Sequence, residues 1–256
     1  MQSSSIRAVV TGGVSGLGLA VARRIVAEGG QVTLFDVNDD KGAAAIAELG
    51  EAKARYLRTD VTSEDEVARN MQGAADAMGG LNVAVNCAGI IGAGRVLGRE
   101  APMPLARFQN TVMVNLVGSF NVAKAAAALI QHNEAGEDGE RGAIVNTASV
   151  AAFEGQIGQA AYSAAKGGVI ALTLTGARDL SSVGIRLNSI APGTMHTPIM
   201  ELIGEEGLAK FAATVPFPKR LGTPDEYASL AQHLLENPYI NGEVVRIDGA
   251  QRFAPR

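Results

Sequence analysis

Hydrophobic residues in this chain fall into short dense runs, separated by longer stretches where they recur every three or four positions. The runs Ile6–Thr11, Gln31–Phe35, Ala54–Thr59, Leu81–Asn86, Ala143–Thr147, Ile185–Ala191 and Glu243–Ile247 predict seven strands. Several are continuous and rich in β-branched residues, the pattern of parallel strands covered on both faces. Helical periodicity lies between them, over Gly18–Glu28, Lys41–Leu49, Glu64–Met78, Leu105–Gln131, Tyr162–Leu180 and Asp225–Glu236. Thr62 or Ser63 can cap the third helix, with acidic residues in its first turn. Thr223 and Pro224 fit the N-cap and first position of the last one. Strict alternation of the two periods predicts an α/β fold, a Rossmann-type doubly wound parallel seven-stranded sheet with helices on both faces.

No linker, repeat or low-complexity tract interrupts this order, so residues 1–256 read as a single domain. Two stretches break the pattern. His132–Gly142 is polar and glycine-rich and reads as a solvated loop. Thr194–Lys219 leaves the sixth strand with apolar residues in no clean period. At a strand's carboxyl end it reads as a lid over a ligand crevice, or as an irregular connection.

Composition narrows the picture. The chain is 47% hydrophobic but only 4% aromatic, with no Trp, so Ala, Val, Leu and Ile must build the core. The net charge of −4 and the absence of a basic run give no evident nucleic-acid partner. A single cysteine, Cys87, excludes an intrachain disulfide framework and suits a reducing compartment. No apolar run approaches the roughly 18 residues of a membrane span. The N-terminus lacks the apolar stretch of a secretory signal and the first strand starts almost at once, so a cytoplasmic protein is expected. The mitochondrial matrix is the alternative if a transit peptide has been removed. His132 and His233 lack metal-ligand spacing with each other or with Cys87, and no metal is expected.

The strongest local signal is Thr11-Gly12-Gly13-Val14-Ser15-Gly16-Leu17-Gly18, between the first strand and the first helix. Gly12 can take backbone angles closed to other residues. Gly16 and Gly18 lack the Cβ that would block a phosphate or the helix–strand contact. The backbone through Ser15, Gly16 and Leu17 then offers free N–H groups to a pyrophosphate. Asp36 ends the second strand, placed to accept from both ribose hydroxyls of an adenosine and to repel a 2′-phosphate. No cation is adjacent in sequence, the nearest being Lys41, so NAD is expected over NADP. Asp60 and Val61 can meet the adenine edge. Asn86, Cys87, Ala88 and Gly89 end the fourth strand, where small residues permit close cofactor approach. Cys87 reads as a small buried hydrophobe rather than a redox group.

Tyr162 and Lys166 stand four residues apart, one helical turn, with Ser149 thirteen positions upstream of Tyr162. A free Tyr has a pKa of about 10 and is a poor base near neutral pH. Lowering it by about 3 units needs about 4 kcal/mol, roughly what one positive charge about 4 Å away supplies at an effective dielectric near 20. Lys166 is the obvious charge and an oxidised nicotinamide a second, with burial acting against both. Ser149 can hold the reacting oxygen, or simply cap the next turn.

On the motifs Thr11–Gly18, Asn86–Gly89, Asn115, Ser149, Tyr162, Lys166 and Pro192-Gly193, in order and spanning nearly the whole chain, the sequence resembles the short-chain dehydrogenase/reductase family. The resemblance implies that Tyr162 is the acid/base, that Lys166 also binds the nicotinamide ribose, and that Asn115 holds a proton-relay water. It implies that Pro192, Gly193, Met195 and Thr197 meet the nicotinamide end of NAD. Cys87 departs from the family, which usually has a second Asn there. The stretches Val83–Ile90, Asn146–Lys166, Val215–Leu221 and Glu236–Gly249 further resemble a subgroup acting on 3-hydroxyacyl-CoA, which implies a homotetramer. Gln156, Gln159, Leu202, Phe211 and Phe217 are the expected substrate wall. The expected small-molecule substrate is an acyl-CoA, with a steroid or other hydrophobic secondary alcohol as alternative. A non-catalytic dinucleotide sensor or assembly subunit would be expected to have lost part of the catalytic set, which is complete here.

Overall fold

A computed structural model describes residues 1–201 and 203–255. The strands are β1 (Arg7–Thr11), β2 (Gln31–Asp36), β3 (Ala54–Arg58), β4 (Val83–Asn86), β5 (Gly142–Thr147), β6 (Ile185–Pro192) and β7 (Val244–Ile247). They form one parallel sheet in the order β3-β2-β1-β4-β5-β6-β7. The chain winds outward from β1 to β3, returns to β4 beside β1, then winds the other way. Connections therefore leave on opposite faces between β1 and β4, and a crevice opens at their carboxyl ends.

The strand runs look continuous because both faces are covered. Ala8, Val10, Val83 and Val85 point into one core with α1 (Gly16–Ala27), α2 (Asp39–Leu49) and α9 (Pro224–Glu236). Val9, Ala84 and Ile144 point into the other, with α3 (Glu64–Met78), α5 (Gly118–Ile130) and α6 (Ala160–Ser181). That is the period-two alternation of a strand read across both faces. Caps set several helix starts: Asn38 accepts from Lys41 N, and Thr223 and Glu226 form a reciprocal capping box on α9.

Three expectations change. The helix expected over Leu105–Gln131 is α4 (Leu105–Val112), a π-helical turn (Met113–Val117) and α5. Its most apolar 18 residues average a hydropathy of 1.5, so by length and composition it is apolar enough to cross a membrane, while Asn115, Asn121 and Lys124 interrupt any continuous apolar run. In the fold it is a core helix, packed on α3, α6 and β4. The segment Thr194–Lys219 is not irregular: it folds α7 (Pro198–Glu201) and α8 (Gly204–Ala213). Its short helices and interrupted stripe hid the period. The polar loop before β5 is not wholly solvated, since its Glu140 pairs with Arg186 at 2.7 Å and with the N-terminal amine at 3.3 Å.

Candidate active site

The glycine loop is shaped by contacts that a side chain would destroy. Gly12 has φ +60°, and a Cβ there would lie 2.8 Å from Ala88 N. At Gly18 a Cβ would stand 2.3 Å from Gly12 O, so the first turn of α1 lies directly on the loop. Ser15 occupies the N-cap without a side-chain cap bond, and the first turn of α1 carries no acidic residue. Its N–H groups face the crevice with neither a cap nor a carboxylate to compete for them. This cradle fits a pyrophosphate. Thr197 and Pro198 lie across from Gly16, within 4 Å of where its Cβ would be, so the segment after β6 already meets the glycine loop.

At the adenosine end, Asp36 Oδ1 accepts from Val37 N at 2.8 Å and Asn38 N at 3.2 Å. Asp60 Oδ1 is held by Thr62, through N at 2.9 Å and Oγ1 at 2.8 Å. Val61 is buried, and its carbonyl accepts from Asn121 Nδ2. Asn86 is the expected cofactor residue whose side chain is spent inside the protein: Nδ2 donates to Asn146 Oδ1 and Ser119 O, and Oδ1 accepts from Thr11 Oγ1. It builds the crevice floor. Thr11, which opens the glycine motif but carries no role of its own legible in the sequence, holds the next turn by accepting from Cys87 N and Ala88 N, both at 3.1 Å. Burial pushes the Cys87 thiol up, so it stays a neutral SH beside Thr147 and Tyr227.

Ser149, Tyr162 and Lys166 meet at the carboxyl end of β5. Ser149 caps a short 3₁₀ turn (Val150–Ala152) by accepting from Ala151 N at 3.1 Å, leaving its own proton free to donate. The capping reading of Ser149 is therefore met, and its hydroxyl also reaches Tyr162. The Lys166 ammonium lies 5.7 Å from the Tyr162 ring centroid and donates to Thr147 O at 2.6 Å. Burial lowers Lys166 to about 8, with the nearby Cys87 acting slightly the other way. Burial also raises Tyr162, offset in part by the Ser149 hydroxyl. Burial thus opposes the phenolate as expected: the ammonium is turned onto the Thr147 carbonyl, and desolvation wins in the protein alone.

Asn115 sits in the π-helical turn, fully buried. Its Nδ2 donates to Ile90 O at 2.8 Å and Thr111 O at 2.9 Å, and its Oδ1 accepts from Ile90 N at 3.3 Å. A Cβ on Gly89 would lie 2.6 Å from Asn115 Oδ1 and 3.7 Å from Lys166 Nζ, which brings Asn115 and Lys166 together over the Cα of Gly89.

After β6, Gly193 packs so closely on Asp248 that a Cβ would come within 2.8 Å of it. Thr194 is tied through N and Oγ1, each at 3.0 Å, to the buried Gln251 Oε1, whose Nε2 donates to Thr214. Gln251 was not legible as a site residue because its partners lie 57 and 37 positions away. Met195 is buried against Gly222, and His196 is exposed. Of the expected substrate wall, Gln156 and Gln159 line a cleft of about 540 Å³ with Leu97, Ile157 and Pro255. Phe211 is half-buried on α8. Phe217 is 81% exposed. Leu202 lies outside the described residues. No cluster of three or more metal-ligating side chains occurs among the described residues.

Residues 7–207 match the family model for short chain dehydrogenase. The 3-hydroxyacyl-CoA dehydrogenase type-2 of Drosophila melanogaster is 49% identical over 249 residues, covering 96% of this chain and 97% of that one. The human protein of the same name is 48% identical over 250 residues, covering 97% and 95%. The crystal structure of 3-hydroxyacyl-CoA dehydrogenase type-2 from Mycobacterium avium superposes with a TM-score of 0.94 at 53% identity, covering 100% of this chain and 99% of that one.

Proposed function

Because the chain belongs to the short-chain dehydrogenase family, we propose that it interconverts 3-hydroxyacyl-CoA and 3-oxoacyl-CoA with NAD, using Tyr162 as acid/base. It is an oxidoreductase that works at alcohol carbons with a nicotinamide dinucleotide. The observation that carries the finer reading is the meeting of Ser149, Tyr162 and Lys166 at the same sheet edge as the glycine cradle. The name shared by relatives at 47–49% identity supports the substrate class.

Bound in the cradle, the cofactor supplies the hydride acceptor and, when oxidised, a positive charge beside the phenol. The chain's residues do the rest. Ser149 donates to the substrate oxygen and fixes it against Tyr162. The Tyr162 phenolate takes the alcohol proton as hydride leaves the carbon, and gives it back in reduction. Lys166, 5.7 Å from the ring centroid, brings its charge to the phenol by turning off the Thr147 carbonyl. Asn115, locked in the helix turn over Gly89, defines the wall past which a proton can leave. The Asp36 carboxylate supports NAD over NADP by repelling a 2′-phosphate.

The test is reduction of acetoacetyl-CoA with NADH, compared with acetoacetate and with a steroid ketone. A kcat/KM for acetoacetyl-CoA above both is expected. If CoA adds nothing, or the steroid is reduced more efficiently, the enzyme is a dehydrogenase of other hydrophobic alcohols.

A further inference from the structure

Asp36 and Arg58 are register partners at the carboxyl ends of β2 and β3. Side chains of registered residues on neighbouring parallel strands project to the same side of the sheet. Arg58 is exposed, and its Nη1 donates to the Val37 carbonyl at 3.1 Å. One weak tether thus holds a guanidinium beside the residue that follows Asp36. Arg58 joins none of the ion pairs formed among the described residues. Among the described residues the carboxylate of its strand neighbour Asp36 accepts only from backbone groups, Val37 N and Asn38 N. The cation was invisible in the sequence because it is 22 positions from Asp36 and comes beside it only through strand pairing.

We propose that Arg58 is a latent ligand for a 2′-phosphorylated adenosine, kept out of use chiefly by Asp36. The inference rests on the reading of the glycine cradle as a dinucleotide site. In that site the group at the end of β2 meets the adenosine ribose. With the carboxylate present, a 2′-phosphate is repelled, and Arg58 serves only its tether to Val37. With the carboxylate neutralised, the guanidinium swings from one carbonyl to a dianion, for which its fork of donors is far better suited. Asp39 and Asp40 remain in the first turn of α2, with Asp39 held by the Tyr56 hydroxyl at 2.8 Å, so the gain is partial.

The experiment uses the whole protein and two probes, adenosine 5′-monophosphate and adenosine 2′,5′-bisphosphate, titrated by calorimetry. Asp36→Asn keeps an oxygen to accept from Val37 N and Asn38 N while removing the charge. It is expected to raise affinity for the bisphosphate about tenfold or more, the worth of one charge-assisted hydrogen bond. Adding Arg58→Ala should remove most of that gain, leaving only what the lost repulsion supplies, while changing monophosphate affinity far less. The gain should also shrink with added salt, as an exposed charge pair requires. NADPH turnover should follow the same order. The proposal is overturned if the double variant keeps most of the bisphosphate gain, or if Asp36→Asn produces none. If the unaltered protein binds neither adenosine monophosphate nor NADH, the nucleotide reading itself fails and takes the proposal with it.

Discussion

Burial lowers Lys166 to about 8 and raises Tyr162, so the protein alone holds a neutral phenol beside a lysine that is only partly reluctant to be charged. Alcohol oxidation needs the phenolate, so kcat/KM for oxidation should rise with pH and that for ketone reduction should fall. Tyr162→Phe removes only the hydroxyl. It should bind NADH normally and lose turnover by about 10²-fold or more, the usual worth of a general acid/base. Retention of a tenth of kcat would assign the proton transfer elsewhere. Lys166 carries a second consequence. Its pKa is lower in the folded protein than the ordinary 10.5, so between about pH 8 and 10.5 the unfolded chain binds more protons. The cost of burying the charge is therefore fully present below about pH 8 and disappears as pH rises through that window. The shift corresponds to about 3 kcal/mol. Lys166→Met should gain most of it at pH 7, less about 1 kcal/mol for the donor lost to the Thr147 carbonyl. Urea unfolding at pH 7 and pH 10 checks this: the variant should be the more stable at pH 7, and the difference should shrink at pH 10. A less stable variant at pH 7 would contradict the burial argument.

At the scale of elements, what could be read beforehand was what local sequence determines. The strand runs, the cap at Thr223 and the glycine loop all carry their cause within a few residues, and they stand where expected. The unread parts depend on partners far along the chain. Thr11 meets Cys87 and Ala88 across 76 and 77 positions, and Lys166 meets the carbonyl of Thr147 rather than the phenol one turn away. The π-helical turn belongs to the same class. Asn is a poor interior helix residue, which marks Asn115 as unusual, but only the packing of Gly89 on its side chain shows why the helix widens there. Gly89→Ala should therefore destabilise the protein by about 1–3 kcal/mol, because Asn115 is buried and held by three hydrogen bonds and has nowhere to move. Truncating Asn115 to Ala removes the obstacle. The double variant should then lose less than the sum of the two single losses, measured by denaturant unfolding, while recovering no activity. Strict additivity would show that the two residues do not press on each other.

For the whole molecule, the surface left apolar after the sheet is covered points to a second copy of the chain. The long helix from Leu105 to Ile130 turns one face to the core and leaves Met113, Val117 and Phe120 37–49% exposed, spaced four and three apart in one stripe. Leu174 on α6 adds to the apolar surface at 47% exposure. A helix that only covers one side of a sheet needs one apolar stripe, and this one has two. Scattered apolar residues need no explanation, but a stripe on a helix this apolar does. The stripe also lies on the helix that carries Asn115, so pairing there would brace the π-helical turn from outside. We therefore expect a homo-oligomer built on this face, a tetramer if a second two-fold contact joins the pairs. Light scattering at micromolar concentration should give a mass of four chains. Phe120→Asp, which places a charge in the stripe without touching the crevice, should yield smaller species and, with the brace removed, a lower kcat. A monomeric mass for the unaltered protein would refute the assembly, and a fully assembled Phe120→Asp variant would place the interface on another face.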